Sequence, residues 1–201
     1  MSLEEFRLKR ERTKRASIVK GARKLFSRQG FTDVTTAALA AEGGVSTATL
    51  YKYFNDKESL FSAVIDQLVE QITESLAQST GVEENGLYAL SLTYANLLAD
   101  PEFVGLMRVV VADAGESASF RVRIEEEGNA LFFDAIDREV RALLPEKSSD
   151  REVEQAAIEL RSVLDAQTLL VGLLYNEFIE PENIPALVER TLASWRSHWL
   201  S

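Results

Sequence analysis

The segment TTAALAAEGGVSTATLYKYF, residues 35 to 54, decides how the chain is read. Thr35 and Ser46 are good N-caps, because a hydroxyl oxygen can accept from a free N–H in the first helical turn. Apolar residues follow each at helical spacing: Leu39 after Thr35, then Leu50 and Phe54 after Ser46. Between them Gly43-Gly44 breaks the run and supplies a tight turn. Leu39 and Val45 are placed to pack the two short helices together. Thr47, Ala48, Thr49, Tyr51, Lys52 and Tyr53 give the second helix a small, hydroxyl-bearing, aromatic and basic face, which suits a groove better than a core. The motif fits a helix-turn-helix over about 35–54. Spacing and composition alone fit an ordinary helical hairpin as well.

Outward from this segment the chain reads as all-α. A helix is predicted from about Lys14 to Gln29, with Ile18, Ala22, Leu25 and Phe26 on one face and Gly30 as its stop. Asp56 is placed to cap a fourth helix striped by Leu60, Phe61, Val64, Ile65, Leu68, Ile72 and Leu76. Asp100-Pro101 opens another helix, which Gly115 closes, and a long helical pattern from about Ser117 to Leu144 ends at Pro145. Residues 150 to about 179 carry an unusually wide apolar arc that needs neighbours on two sides. The last helix follows Pro181 and Pro185 and strings Ile184, Val188, Leu192, Trp195 and Trp199 along one stripe. The domain division expected is 1–58 and 59–201, with the fourth helix as connector.

The 201-residue chain has no cysteine and one histidine, His198, which excludes disulfides and thiolate metal sites and argues against histidine clusters or triads. Neither metal nor cofactor is expected. No apolar run approaches a membrane span, and the basic start (Arg7, Lys9, Arg10, Arg12, Lys14, Arg15) is not a signal segment, so a cytoplasmic location is expected. The net charge of −10 hides an asymmetry: residues 1 to 65 carry 12 Lys+Arg against 7 Asp+Glu, leaving the rest strongly acidic. Only the N-terminal part has the charge to face phosphate. Ser17-Ile18-Val19-Lys20 matches a serine–lysine spacing used by some acyl enzymes, but no supporting motif accompanies it. Glu125-Glu126-Glu127 lacks the Glu-x-x-His pairs of a helical metal site and reads as a solvated face.

Ile18, Ala22, Leu25-Phe26, Gly30-Phe31, Thr35, Leu39-Ala40, Gly44-Val45-Ser46, Thr49-Leu50-Tyr51, Phe54 and Lys57-Glu58 together resemble the TetR (tetracycline-repressor-like) family, over about Lys14 to Phe61. The resemblance implies a three-helix DNA-binding unit, a connector helix, a divergent helical effector domain and a dimer formed mainly by the last two helices. It implies no catalytic chemistry. By position, Thr35 and Tyr53 look like phosphate contacts, Tyr51 like a phosphate or thymine-methyl contact, and Lys57 like a phosphate anchor at a helix N-terminus, where free N–H groups already favour an anion. Thr36, Ser46 and Lys52 belong to the same expected DNA face, and Thr47, Ala48 and Thr49 stand where base edges are met. Val34, Thr36, Ala38 and Tyr53 depart from the commoner residues of the pattern, as do Gly21 and Gly43, where alanine is frequent and glycine costs up to about 1 kcal/mol of helix propensity.

A response to a signal needs a small molecule that binds two conformations unequally. Candidate lining residues are Tyr94, Met107, Phe120, Phe132, Phe133, Gln167 and Tyr175, large or adaptable groups on helices expected to enclose an interior. The expected homodimer interface is Leu160, Val163, Leu164, Gln167, Leu170, Val171 and Leu174 from the wide arc, with Val188, Leu192, Trp195 and Trp199 from the last helix. The expected function is that of a ligand-responsive transcriptional regulator, a repressor on a palindromic operator in double-stranded DNA. The alternative is a helical protein-interaction module that keeps the fold without specific DNA binding.

Overall fold

The computed structural model describes residues 3–79, 86–112, 124, 126 and 130–200, and every regular element among them is helical, as the periodicity predicts. The chain packs as two units, Met1–Leu68 with Gly105–Phe120, and Val69–Val104 with Arg121–Ser201.

In the first unit, α1 (Leu3–Asp33) begins well before Lys14. Its first turns are exposed and carry no apolar stripe, so periodicity gives no signal there, although their Arg, Lys and Glu residues are good helix formers. Gly30 interrupts the helix at φ 80°, ψ 176°, a conformation that a side chain would strain. Next come α2 (Thr36–Glu42), α3 (Thr47–Tyr53) and α4 (Lys57–Ser79), the last passing on into the second unit. Ile18, Ala22, Phe26 and Leu39 are fully buried where α1 meets α2. Phe26, Phe31 and Phe61 form a ring cluster with centroids 5.2 to 5.5 Å apart, partly edge-to-face.

Two glycines set how closely α1 and α2 approach. A Cβ on Gly21 would stand 2.9 Å from the Glu42 carbonyl carbon and 3.0 Å from the Gly43 nitrogen, while one on Gly43 would meet the Ile18 Cα at 3.1 Å. The Ser17 hydroxyl donates to the Gly43 carbonyl across the same seam, at 3.2 Å, so the serine of the Ser-x-x-Lys spacing is a packing hydrogen bond. The apparent propensity defect at both glycines is the condition for backbone contact.

In the second unit, α5 (Gly86–Ala99) packs against α7 (Ala130–Leu143), α8 (Asp150–Gln167) and α10 (Ile184–Trp199). The helix α6 (Pro101–Ala112) starts here, with the Asp100 carboxylate accepting from Phe103 N at 2.7 Å, and its later turns belong to the first unit. Ser149 and Glu152 cap α8 reciprocally. The single helix expected over 150–179 is in fact α8 and α9 (Leu169–Tyr175), broken at Thr168, whose hydroxyl donates to Leu164 O at 2.7 Å. Asn176, at φ 55°, ends α9. Gly115 and most of the segment from Ser117 to residue 129 lie outside the described residues. No described helix is long and apolar enough to cross a membrane.

Gly21→Ala is expected to destabilise the protein by about 1–3 kcal/mol, the scale of overpacking against an unyielding neighbour. An exposed helix would give the opposite sign. Urea denaturation of the two proteins reads the difference.

Candidate nucleic-acid interface

Both caps of the sequence-predicted motif are formed. The Thr35 hydroxyl accepts from Ala38 N at 3.2 Å and the Ser46 hydroxyl from Thr49 N at 3.1 Å, with the Thr49 hydroxyl 2.9 Å from it. Gly44, at φ 66°, turns the chain out of α2, and the Gly44 and Val45 amides donate back to Ala41 and Ala40 at 3.1 and 2.9 Å. This Schellman-type closure satisfies carbonyls that a helix end leaves free and aims α3 away from α2. Thr35, Ser46, Thr47, Ala48, Tyr51 and Lys52 are exposed, and Thr36, Thr49, Tyr53 and Lys57 are half-buried. Thr47 and Tyr51 make no side-chain hydrogen bond among the described residues, so the outer edge of α3 carries free hydroxyls.

Lys57 stands differently from the expected phosphate anchor. Its ammonium donates to Phe31 O at 2.7 Å, Val34 O at 3.3 Å and Thr32 O at 3.4 Å, and lies 4.4 Å from the Phe31 ring centroid. It closes carbonyls where α1 ends and just before Thr35. Asp56 caps α4 by accepting from Ser59 N at 2.7 Å, and the Ser59 backbone and hydroxyl bonds hold its carboxyl below the ordinary range. Sequence reading missed two neighbours of α3 on α1: Glu11, whose carboxylate is 4.0 Å from the Lys52 ammonium, and Arg15, whose guanidinium lies 5.1 Å from the Phe54 centroid. Glu11 precedes the predicted start at Lys14, where no apolar pattern marked the chain as structured, and Arg15, though inside the predicted helix, carried no sign of its partner.

The residues expected to line an effector cavity divide. Tyr94 and Phe132 are buried with ring centroids 5.5 Å apart, and Phe133 is half-buried with its centroid 6.4 Å from that of Tyr94. The Tyr94 hydroxyl donates to Asp165 Oδ1 at 2.8 Å. Arg161 stacks over Phe133 at 4.3 Å and pairs with Asp137 at 2.8 Å. Burial pushes the Asp165 carboxyl above the ordinary range against the opposing effects of Tyr94 and Arg161, and burial likewise raises the Tyr94 phenol. Met107 is buried in the first unit, and Phe120 lies outside the described residues. Gln167 and Tyr175 face outward, Tyr175 at 70% exposure, so they are not part of an interior lining.

Of the residues expected at a homodimer interface, Leu160, Leu164, Val188, Leu192 and Trp195 are buried within their own chain. Trp195 Nε1 donates to Ala156 O at 2.8 Å and Trp199 Nε1 to Glu159 Oε2 at 2.9 Å, so the aromatic stripe of α10 docks onto α8 of the same chain. Val163, Gln167, Leu170 and Leu174 are exposed and Val171 and Trp199 half-buried; these remain as surface. Among the described residues no group of three or more His, Asp or Glu could hold a metal ion. Glu125 and Glu127 lie outside them.

Residues 18–64 match the family model described as bacterial regulatory proteins, tetR family. The nucleoid occlusion factor SlmA of Mannheimia succiniciproducens is 34% identical over 119 residues, 56% of this chain and 51% of that protein, so the match spans about half of that relative's length. The nucleoid occlusion factor SlmA of Aliivibrio fischeri is 32% identical over 160 residues, 78% of this chain and 77% of that protein. The crystal structure of a TetR-family transcriptional regulator from Mesorhizobium loti is similar with a TM-score of 0.75 at 20% identity, covering 92% of this chain and 95% of that one.

Lys57→Met is expected to destabilise the DNA-free protein by about 1–3 kcal/mol for carbonyls left without their donor, read as a lower urea midpoint; a lysine reserved for phosphate would leave that midpoint unchanged. Asp165 gives a pH test. Its raised folded pKa means that the folded chain binds more protons than the unfolded chain between the usual carboxylate range and the raised value, so stability falls as pH rises through that window. Asp165→Asn keeps an acceptor for Tyr94, and its stability relative to wild type is expected to grow from pH 4 to pH 7 in denaturation curves.

Proposed function

The chain belongs to the TetR family of bacterial regulatory proteins, and on that premise we propose that it is a ligand-responsive DNA-binding transcriptional regulator, a repressor that grips a palindromic operator as a homodimer and lets go when a small molecule binds. The observation that carries the reading is the pair of side-chain-capped helices around the left-handed Gly44, which turns Thr47, Ala48 and Tyr51 outward from the basic part of the chain. In this reading α3 enters the major groove, Thr47, Ala48 and Thr49 meet base edges, and Thr35, Tyr51 and Tyr53 contact the backbone. Lys57 acts on phosphate through the loop it holds. The functional division is 1–58 for DNA and 59–201 for effector binding and dimerisation. The Tyr94–Asp165 pair supplies the polar recognition of the effector, and the exposed Val163, Leu170 and Leu174 supply the dimer contact. Membership in a family of regulators assigns no catalytic role.

The names of the relatives favour a second reading, in which the chain takes part in nucleoid occlusion. A transcript profile left unchanged by deletion of the gene would favour it over regulation.

Selection of binding sites from a random duplex pool is expected to enrich an inverted repeat with half-sites about one helical turn, roughly 34 Å, apart. Thr47→Ala should relax base preference at one position of each half-site. Absence of any enriched sequence would overturn the specific-regulator reading and leave the protein-interaction alternative.

A further inference from the structure

The part of α1 that precedes the family match at residue 18 is a helix beside α3, with Arg7, Lys9, Arg10, Arg12, Lys14 and Arg15 against Glu4, Glu5 and Glu11, and the two carboxylates Glu4 and Glu5 stand in its first turn, ahead of every cation. We propose that its Glu11 face is a second DNA-contacting element, which grips the phosphate backbone flanking the site read by α3. The proposal rests on the DNA-binding reading and extends the contact surface beyond the helix-turn-helix.

The placement comes from two contacts. Glu11 lies 4.0 Å from Lys52 of α3, and Arg15 lies over Phe54 at the C-cap of that helix. Residues three and four apart share a helix face, so Arg7, Lys14 and Arg15 stand on the face of Glu11, whereas Lys9, two positions away, points elsewhere. Arg7 and Lys14 are exposed, and Lys14 makes no ion pair among the described residues. Arg7 has only a 3.9 Å approach to Glu11. From Arg7 to Arg15 the helix rises about 12 Å, the axial length of three or four base pairs. A duplex with α3 in its groove presents phosphates next to that helix, and cations on the neighbouring face match them in sign and reach. Glu11 sits among these cations and opposes the phosphate.

The experiment measures affinity against salt for wild type, Arg7→Gln/Lys14→Gln, Lys9→Gln and Glu11→Gln, on the selected duplex or, if none is enriched, on a mixed-sequence duplex. Phosphate binding is read in either case, so failure of operator selection is separable from failure of this face. Glutamine keeps helix propensity close to that of Arg and Lys, and circular dichroism checks it. The double variant is expected to flatten the log–log salt slope by about 0.9 for each phosphate that is no longer neutralised, hence about 1.8 per protomer. Lys9→Gln should leave the slope unchanged, and Glu11→Gln should tighten binding. An unchanged slope in the double variant overturns the proposal, and so does an equal flattening in Lys9→Gln, which would mark diffuse charge. Phe6 and Leu8, each more than half exposed, suit an anionic membrane as well. Binding to phosphatidylglycerol vesicles that is abolished in the double variant, with its DNA slope intact, would also overturn it.

Discussion

One ammonium group ties together three parts of the N-terminal unit. Where α1 ends after the break at Gly30, its last carbonyls have no helical partner, and Lys57, the first residue of α4, donates to two of them, Phe31 O and Thr32 O, and to Val34 O just beyond the helix. The same side chain lies on the Phe31 ring, which packs with Phe26 and Phe61. The end of the first helix, the start of the fourth and the aromatic cluster are thereby joined at one point. The third acceptor, Val34 O, immediately precedes Thr35, the cap of α2.

The second unit uses polar groups in its interior differently. Tyr94 and Asp165 meet beside the Phe132 and Phe133 rings, and the carboxyl is retained despite the cost of burial. An all-apolar bundle would have no use for such a pair. Its presence separates this interior from the α8–α10 seam, where the indole N–H groups are satisfied by a carbonyl and a carboxylate on the neighbouring helix.

The helix-turn-helix was legible because its information is local. Thr35, Ser46, Asp56 and Gly44 act within a few residues of themselves, and each is placed as read. Apolar pattern was less decisive, since it marks burial without naming what does the burying. Leu160, Val188 and Trp195 are buried by their own chain, although their stripe suited a second subunit equally well. Lys57 shows the same limit for charge, because a lysine at a helix start favours an anion from outside or carbonyls from within, and only the fold brings the carbonyls near. The early start of α1 and the break at Thr168 left no periodic trace. The inclusion of Gly105–Phe120 in the first packing unit depends on contacts between distant parts of the chain.

The seam between Gly21 and Gly43 bears on how such proteins can be recombined. A recognition segment transplanted from a relative with alanine at the position of Gly43 would bring a methyl group to within 3.1 Å of the Ile18 backbone, where no side-chain rotation can relieve it. Residues 35–54 therefore do not form a free-standing cassette in this chain. The unit of exchange includes the turns of α1 from Ser17 to Gly21, and a chimera built with both pieces from one parent keeps the spacing of the two helices.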